Sequence, residues 1–279
     1  MPAHPYPTPV HARAAGESLV FLRGLTGVDA VLLVNSCARG QGLPTSDLDL
    51  AVLVASPAEK ARLEGEWAAF YGAQEAFRQL EGLSRFACIH VDFFDGAFRP
   101  APWDDGGGPD AFELETGNWI AHSRPLFERD GRMSVLRKAW LPYYPEEVRA
   151  SRLEMVTAAC RLDLARTRHC VGRRQHFQAF ENLYKALREF LQGLFIRERI
   201  YPLSYTKWLR EQLERLPGGQ ALYARLPAVL EIGDLCGSDL EARAGLLEAL
   251  VAERLGGGER RMGPSAPPDP SPSPVAPPA

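Results

Sequence analysis

The sequence predicts an α+β protein: short strands and helices alternate over 10–140, and an all-α helical bundle follows over 145–255. Three observations carry this. Runs of apolar, β-branched and aromatic residues at 30–34, 47–54 and 85–94 have strand length and are separated by stretches at helical spacing. From Pro145 onward long helical patterns dominate, punctuated by Pro202, Pro217-Gly218-Gly219 and Gly237. The segment 256–279 is Pro, Ser, Ala and Gly with almost no large apolar residue, so it cannot bury a core and is expected to be a disordered tail.

Residues 10–24 read as a helix, since Leu19, Val20, Leu22 and Leu25 give a helical stripe. The strands at 30–34 and 47–54 follow. Pro57 then opens a helix that runs through Leu63, Trp67, Phe70 and Phe77, with a break near Gly72. After the strand at 85–94 come a Pro- and Gly-rich loop at 99–109, a helix over 111–120, an extended segment at 125–128 and a turn at 129–132. Bundle helices are expected at 148–168, 174–200, 205–216, 221–232 and 240–255. On the second of these, Phe177, Phe180, Leu183, Leu187, Phe190, Leu191 and Leu194 form a stripe that should be core.

The chain has 279 residues, is 46% hydrophobic and 24% charged, and carries a formal net charge of -3. That is the balance of a globular protein long enough for two domains. It lacks the basic excess of a general nucleic-acid binder, so nucleic acid is disfavoured as a partner. No apolar run approaches the roughly 20 residues that span a bilayer, so no membrane is expected. The N-terminus lacks a charged segment followed by an apolar core, which argues against a signal peptide. Cys37, Cys88, Cys160, Cys170 and Cys236 are scattered, with no C-x-x-C, and read as reduced thiols of a cytoplasmic protein. Cys160, Cys170, His169 and His176 match no standard zinc spacing.

The run from Asn35 to Leu50 is the most informative stretch. It holds a small hydroxyl residue (Ser36), a glycine-rich turn (Gly40, Gly42), and two carboxylates, Asp47 and Asp49, one residue apart at the start of an apolar strand. Side chains at i and i+2 of a strand share a face. Two carboxylates that close repel each other, and the usual compensation is a hard divalent cation with oxygen ligands. A third acid, Asp92, lies within the otherwise apolar strand at 85–94, where an unpaired carboxylate is costly. His90 is placed on the same strand face as Asp92 and reads as a rim or packing residue, since magnesium prefers oxygen.

The order Asn35-Ser36, Ala38-Arg39-Gly40, then Ser46-Asp47-Leu48-Asp49-Leu50 resembles the signature of the DNA polymerase beta-like nucleotidyltransferase superfamily. Asn35 stands where the family has its first glycine. The resemblance implies an N-terminal nucleotidyltransferase domain with a small mixed β-sheet flanked by helices. It implies that Ser36, Arg39 and Ser46 hold the nucleotide, and that Asp47, Asp49 and Asp92 are the catalytic acids and the ligands of Mg2+. It further implies a nucleoside triphosphate, taken as ATP, as donor. Asp92 would orient or deprotonate the acceptor hydroxyl, with pyrophosphate released.

The domain order, with the pattern from Glu181-Asn182-Leu183-Tyr184-Lys185 to Tyr205-Thr206-Lys207-Trp208-Leu209, resembles the C-terminal helical domains of antibiotic nucleotidyltransferases. That resemblance implies a lysine reaching across to the triphosphate, Lys207 first and Lys185 second, each weighed against a solvated surface lysine. Arg39 either assists the phosphates or pins the turn to an acidic partner. Glu181, Asn182 and Tyr184 either line an acceptor pocket or are exposed. A cationic small-molecule acceptor would favour acidic walls, for which Glu113, Glu115, Asp104 and Asp105 are candidates. Two rival functions stay open: protein AMPylation of the antitoxin type, and a degenerate nucleotide-binding module. A fused toxin-like ribonuclease has little support, because neither His169 nor His176 has an arginine at the required distance upstream.

Overall fold

The structure, a computed structural model, describes residues 5–98 and 112–256. Thr8 caps the first helix, α1 (Pro9–Gly24), by accepting from the His11 amide, and Pro9 fills its first turn. β1 (Val28–Leu33), β2 (Leu48–Val54), β3 (Ile89–Phe94) and β4 (Arg124–Glu128) form one sheet in the order β3-β2-β1-β4. β1 is antiparallel to both β2 and β4, and β2 is parallel to β3, so the sheet is mixed. β1 and β2 are central and fully buried, and apart from Asp29 and Asp49 every residue in them is apolar.

Alternation along the strands sorts side chains onto two faces. Val31, Leu33, Leu48, Leu50, Val52, Val54, Ile89 and Phe93 pack with α1, α3 (Pro57–Tyr71) and α4 (Glu75–Glu81). The break between α3 and α4 falls at Gly72, where the sequence placed it. On the opposite face Ala30, Leu32, Val34, Ala51, Leu53 and Phe94 meet Trp119, Ile120 and Met133. These come from α5 (Asn118–His122) and α6 (Arg132–Trp140). The sequence reading placed no helix at α6.

The helical region is built on α7 (Glu146–Gly172), α8 (His176–Arg197) and α12 (Asp239–Arg254), with three short helices between: α9 (Leu209–Leu213), α10 (Gly219–Arg225) and α11 (Pro227–Leu230). Leu183, Leu187, Phe190, Leu191 and Leu194 are core as expected. Phe177 and Phe180 are not: they are 82% and 39% exposed, because the first turns of α8 have no apolar partner on that side. The helix expected over 205–216 shrinks to α9. Gln212 holds the preceding segment in bends and turns, accepting from the Leu203 amide (2.6 Å) and donating to the carbonyls of Ser204 (2.8 Å) and Lys207 (3.2 Å).

Sheet region and helical region share a core. Phe112, Tyr143, Tyr144, Val156, Ile196 and Tyr201 cluster between them. A π-helical turn (Glu113–Gly117) precedes α5, and there the buried Glu113 accepts from Arg152 Nε of α7 at 3.1 Å. Asn118 Nδ2 and His122 Nε2 donate to the carbonyls of Leu203 and Tyr201 at 3.1 and 3.0 Å. No described helix is long and apolar enough to cross a membrane.

Candidate active site

The turn between β1 and β2 is held by its own backbone and by a buried thiol. α2 (Asn35–Ala38) opens on Asn35 in the left-handed region (φ 54), a conformation that asparagine tolerates better than most residues and glycine adopts freely. This accounts physically for asparagine at a position where the resembling family has glycine. The Gln41 amide donates back to the Ser36 carbonyl at 2.9 Å. The Cys37 thiol, with its pKa pushed up to about 11 chiefly by burial, donates to the Asp47 carbonyl at 3.7 Å. A side chain at Gly42 would strike that sulfur, at 2.9 Å from its Cβ.

Asp47 stands just before β2 and Asp49 within it. The parallel register sets Asp49 beside His90 and Ala51 beside Asp92, so Asp49, His90 and Asp92 share one sheet face, as the sequence spacing required. Asp49 is buried, 8% exposed. Its pKa is raised from 3.8 to about 6, by desolvation first, then by Asp47 and, more weakly, by Asp92; a hydrogen bond from Asn35 and the proximity of His90 oppose the rise. Asp92 is exposed on the edge strand, and its pKa is also raised by desolvation, with His90 and Lys60 pulling it down. His90 Nε2 lies 4.0 Å from Asp47 Oδ2 and 3.1 Å from Cys88 Sγ, which makes it a rim residue between two acids.

Among the described residues, no group of three His, Cys, Asp or Glu side chains is gathered tightly enough to hold a metal ion. Asp49 and Asp92 share a sheet face, and Asp47, just before the strand, acts on Asp49 through its charge. The chemistry of the donor set, oxygen only and electrostatically strained, suits a hard divalent cation such as Mg2+.

The other predicted residues divide. Ser36 Oγ is buried and makes no hydrogen bond of ordinary geometry, although it stands close enough to the Cys37 thiol to lower its pKa. The Ser46 hydroxyl closes its own turn, accepting from the Leu43 amide at 2.9 Å. Arg39 forms an ion pair with Glu211 of α9 and lies over the Trp208 ring, 4.7 Å from its centroid. Lys207 is exposed, next in sequence to Trp208, and its side chain has no partner among the described residues. Lys185 is half-buried on α8 and already engaged by a neighbour. Asn182 is buried, donating to Cys170 Sγ at 3.6 Å, while Glu181 and Tyr184 are exposed.

A cleft of about 430 Å3 opens at the C-terminal ends of β2 and β3, next in sequence to Asp92 but lined by none of the three acids; Lys60, Phe93, Phe94, Asp95, Phe112 and Glu115 are among its walls. Glu115 therefore reaches a cleft wall. Glu113 does not, because it is buried against Arg152. Asp104 and Asp105 lie outside the described residues.

Sequence reasoning missed His11, Glu211 and Trp208. His11 is fully buried and accepts from the Thr8 hydroxyl (2.7 Å) while donating to the Ser46 carbonyl (3.0 Å), so it ties α1 to the residue before Asp47. Its position on the buried face of α1, among Ala14, Ala15 and Leu22, was a signal. Nothing local marks Glu211.

No protein-family model matches the chain, and no curated protein matches it in sequence. Among solved structures it is similar to a nucleotidyltransferase-like protein from Exiguobacterium sibiricum 255-15, at 14% identity and a TM-score of 0.46, over 88% of this chain and 74% of that one.

Proposed function

We propose that the chain transfers a nucleoside monophosphate from a nucleoside triphosphate, ATP, to an acceptor hydroxyl and releases pyrophosphate. The single observation that supports this most is Asp49: a buried carboxylate raised to about 6 by desolvation first and then by Asp47, beside a turn that opens on the left-handed Asn35. Folding alone gives no reason to bury that charge. Asp47, Asp49 and Asp92 would hold Mg2+, which when bound neutralises phosphate charge.

Asp92, with its raised pKa, is suited to take the proton of the acceptor hydroxyl. The acceptor oxygen then bonds to the α-phosphorus as the bridge to the β-phosphate breaks. Ser36, rotated out of its buried position, would meet the departing phosphates, with Ser46 fixing the turn, and Lys207 or Lys185 supplying positive charge from the helical region. The 430 Å3 cleft, with aromatic walls and the carboxylates of Asp95 and Glu115, would receive the acceptor, a small molecule such as an antibiotic. In this reading 10–140 is the catalytic domain and 145–255 the helical domain of an antibiotic-type nucleotidyltransferase. The five cysteines, all free, fit a cytoplasmic location.

The test is a mass-spectrometric screen of candidate acceptors, small molecules and proteins, for an added mononucleotide in the presence of ATP and Mg2+. Modified protein with unmodified small molecules would select AMPylation. The buried Ser36 hydroxyl and the engaged Arg39 favour one other reading, a module that binds nucleotide without turnover. ATP binding with no pyrophosphate release on any acceptor would select it.

A further inference from the structure

On the other side of the Arg39 turn lies a second cavity, of about 350 Å3, walled by α2, the end of α5, the start of β4 and α9. It is many times the roughly 30 Å3 that one water occupies in the liquid. Its chemistry differs from that of the acidic face. Three guanidinium groups line it, Arg39, Arg124 and Arg215, against a single carboxylate, Glu211. Glu211 is already shared: it accepts from Arg39, from Arg215 at 2.7 Å and from Gln41 at 3.3 Å. The Arg124 side chain makes no hydrogen bond or ion pair among the described residues and is only half-exposed.

Two of the guanidiniums are thus balanced by one carboxylate, and a third is unbalanced. His122, also on the wall, responds to this field. Its pKa is pushed down, by burial first and then by Arg215 and Arg39, while its Nε2 is spent on the Tyr201 carbonyl. A concave site with surplus guanidinium charge recognises oxyanions, since the planar fork of arginine matches phosphate geometry.

We infer that this cavity is a binding site for a phosphate group, held by Arg124 and Arg215 with Arg39 at its edge. The source of the group is either free pyrophosphate or phosphate, or the tail of a nucleotide that reaches past the turn. The site does not require transfer chemistry, so it stands or falls separately from the proposed function. A bound anion competes with Glu211 for Arg39 and Arg215, and therefore loosens the tie between the turn and α9.

The test is isothermal titration of the full chain with pyrophosphate, and separately with ATP, in a chelating buffer so that no cation bridges the anion to the acids. Wild type should bind pyrophosphate. Arg124→Gln and Arg215→Gln should each weaken binding roughly tenfold or more, the expectation for a charge-assisted hydrogen bond to phosphate. Both positions reach the surface, and Arg124 has no partner to lose, so the melting temperature of Arg124→Gln should match wild type. If ATP weakens in parallel, the tail of the nucleotide is the occupant. If only pyrophosphate weakens, the site takes the free anion. Absence of binding by wild type, or equal binding by wild type and both variants, overturns the inference. A failed acceptor screen with these affinities intact would refute transfer and leave the anion site standing.

Discussion

Replacing Asp49 by Asn should stabilise the metal-free protein at neutral pH. Asp49 is buried and its pKa rises from 3.8 to about 6 on folding. At 1.36 kcal/mol per pKa unit, that rise corresponds to about 3 kcal/mol lost when the group is ionised. The sign follows from linkage: an acid with a raised folded pKa favours the fold below pH 3.8, and the loss grows until it is complete above about pH 6. Asn keeps the shape and can still accept from Asn35, but its own N–H groups must find partners, so a net gain of about 2 kcal/mol is expected. For a chain of this size that is roughly 4–8 °C in melting temperature. Urea unfolding in chelator at pH 8 and pH 4 measures it: the variant should exceed wild type at pH 8 and nearly match it at pH 4. Adding Mg2+ should then raise wild type and leave the variant unchanged. A variant less stable than wild type at pH 8, or a gain independent of pH, would refute the reasoning.

Asn35→Gly should keep stability within about 1 kcal/mol of wild type, whereas Asn35→Ala should lose about 1–2 kcal/mol, because alanine keeps the Cβ in the left-handed region but lacks the polar side chain that makes it tolerable. Equal stability of the two would show that the backbone there relaxes. Nucleotide turnover of Asn35→Gly should equal or exceed that of wild type, and a strong loss would mean that the Asn35 amide touches substrate. Gly117→Ala should cost about 1–3 kcal/mol in urea unfolding, because its Cβ would sit 2.3 Å from the Tyr201 ring; an unchanged midpoint would mean that the junction repacks. Lys207→Ala should raise the KM for ATP roughly ten- to a hundredfold with little change in melting temperature. Unaltered kinetics would remove the helical region from triphosphate binding.

The strands were legible because β-branched and aromatic runs bounded by glycine and polar turns have few alternatives, and the shared face of Asp49, His90 and Asp92 followed from counting by two. Other features depended on partners distant in sequence. α6 presents Met133 and Leu136 inward but leaves Val135 69% exposed, so its apolar pattern is too thin to read. The helical spacing of Phe177 and Phe180 was real, but spacing does not reveal where a helix outruns its neighbours. Tyr205 and Trp208 looked helical until Gln212 claimed the backbone around them. At the site, the acids and Ser36 were visible as a pattern. The grip of Glu211 on Arg39 joins positions 172 residues apart, and no local rule announces it.

β3 and β4 are the outer strands of the sheet, and an outer strand is the place where another chain's strand can add. On β4 the second residue is Pro125, which has no N–H to offer an incoming strand. On β3 the corresponding guard is His90 and Asp92, polar and outward-facing in an otherwise apolar strand. Asp92 therefore also discourages self-association. Replacing it by alanine would leave a longer apolar rim, and self-association that grows with protein concentration is the expected consequence, with the fold intact.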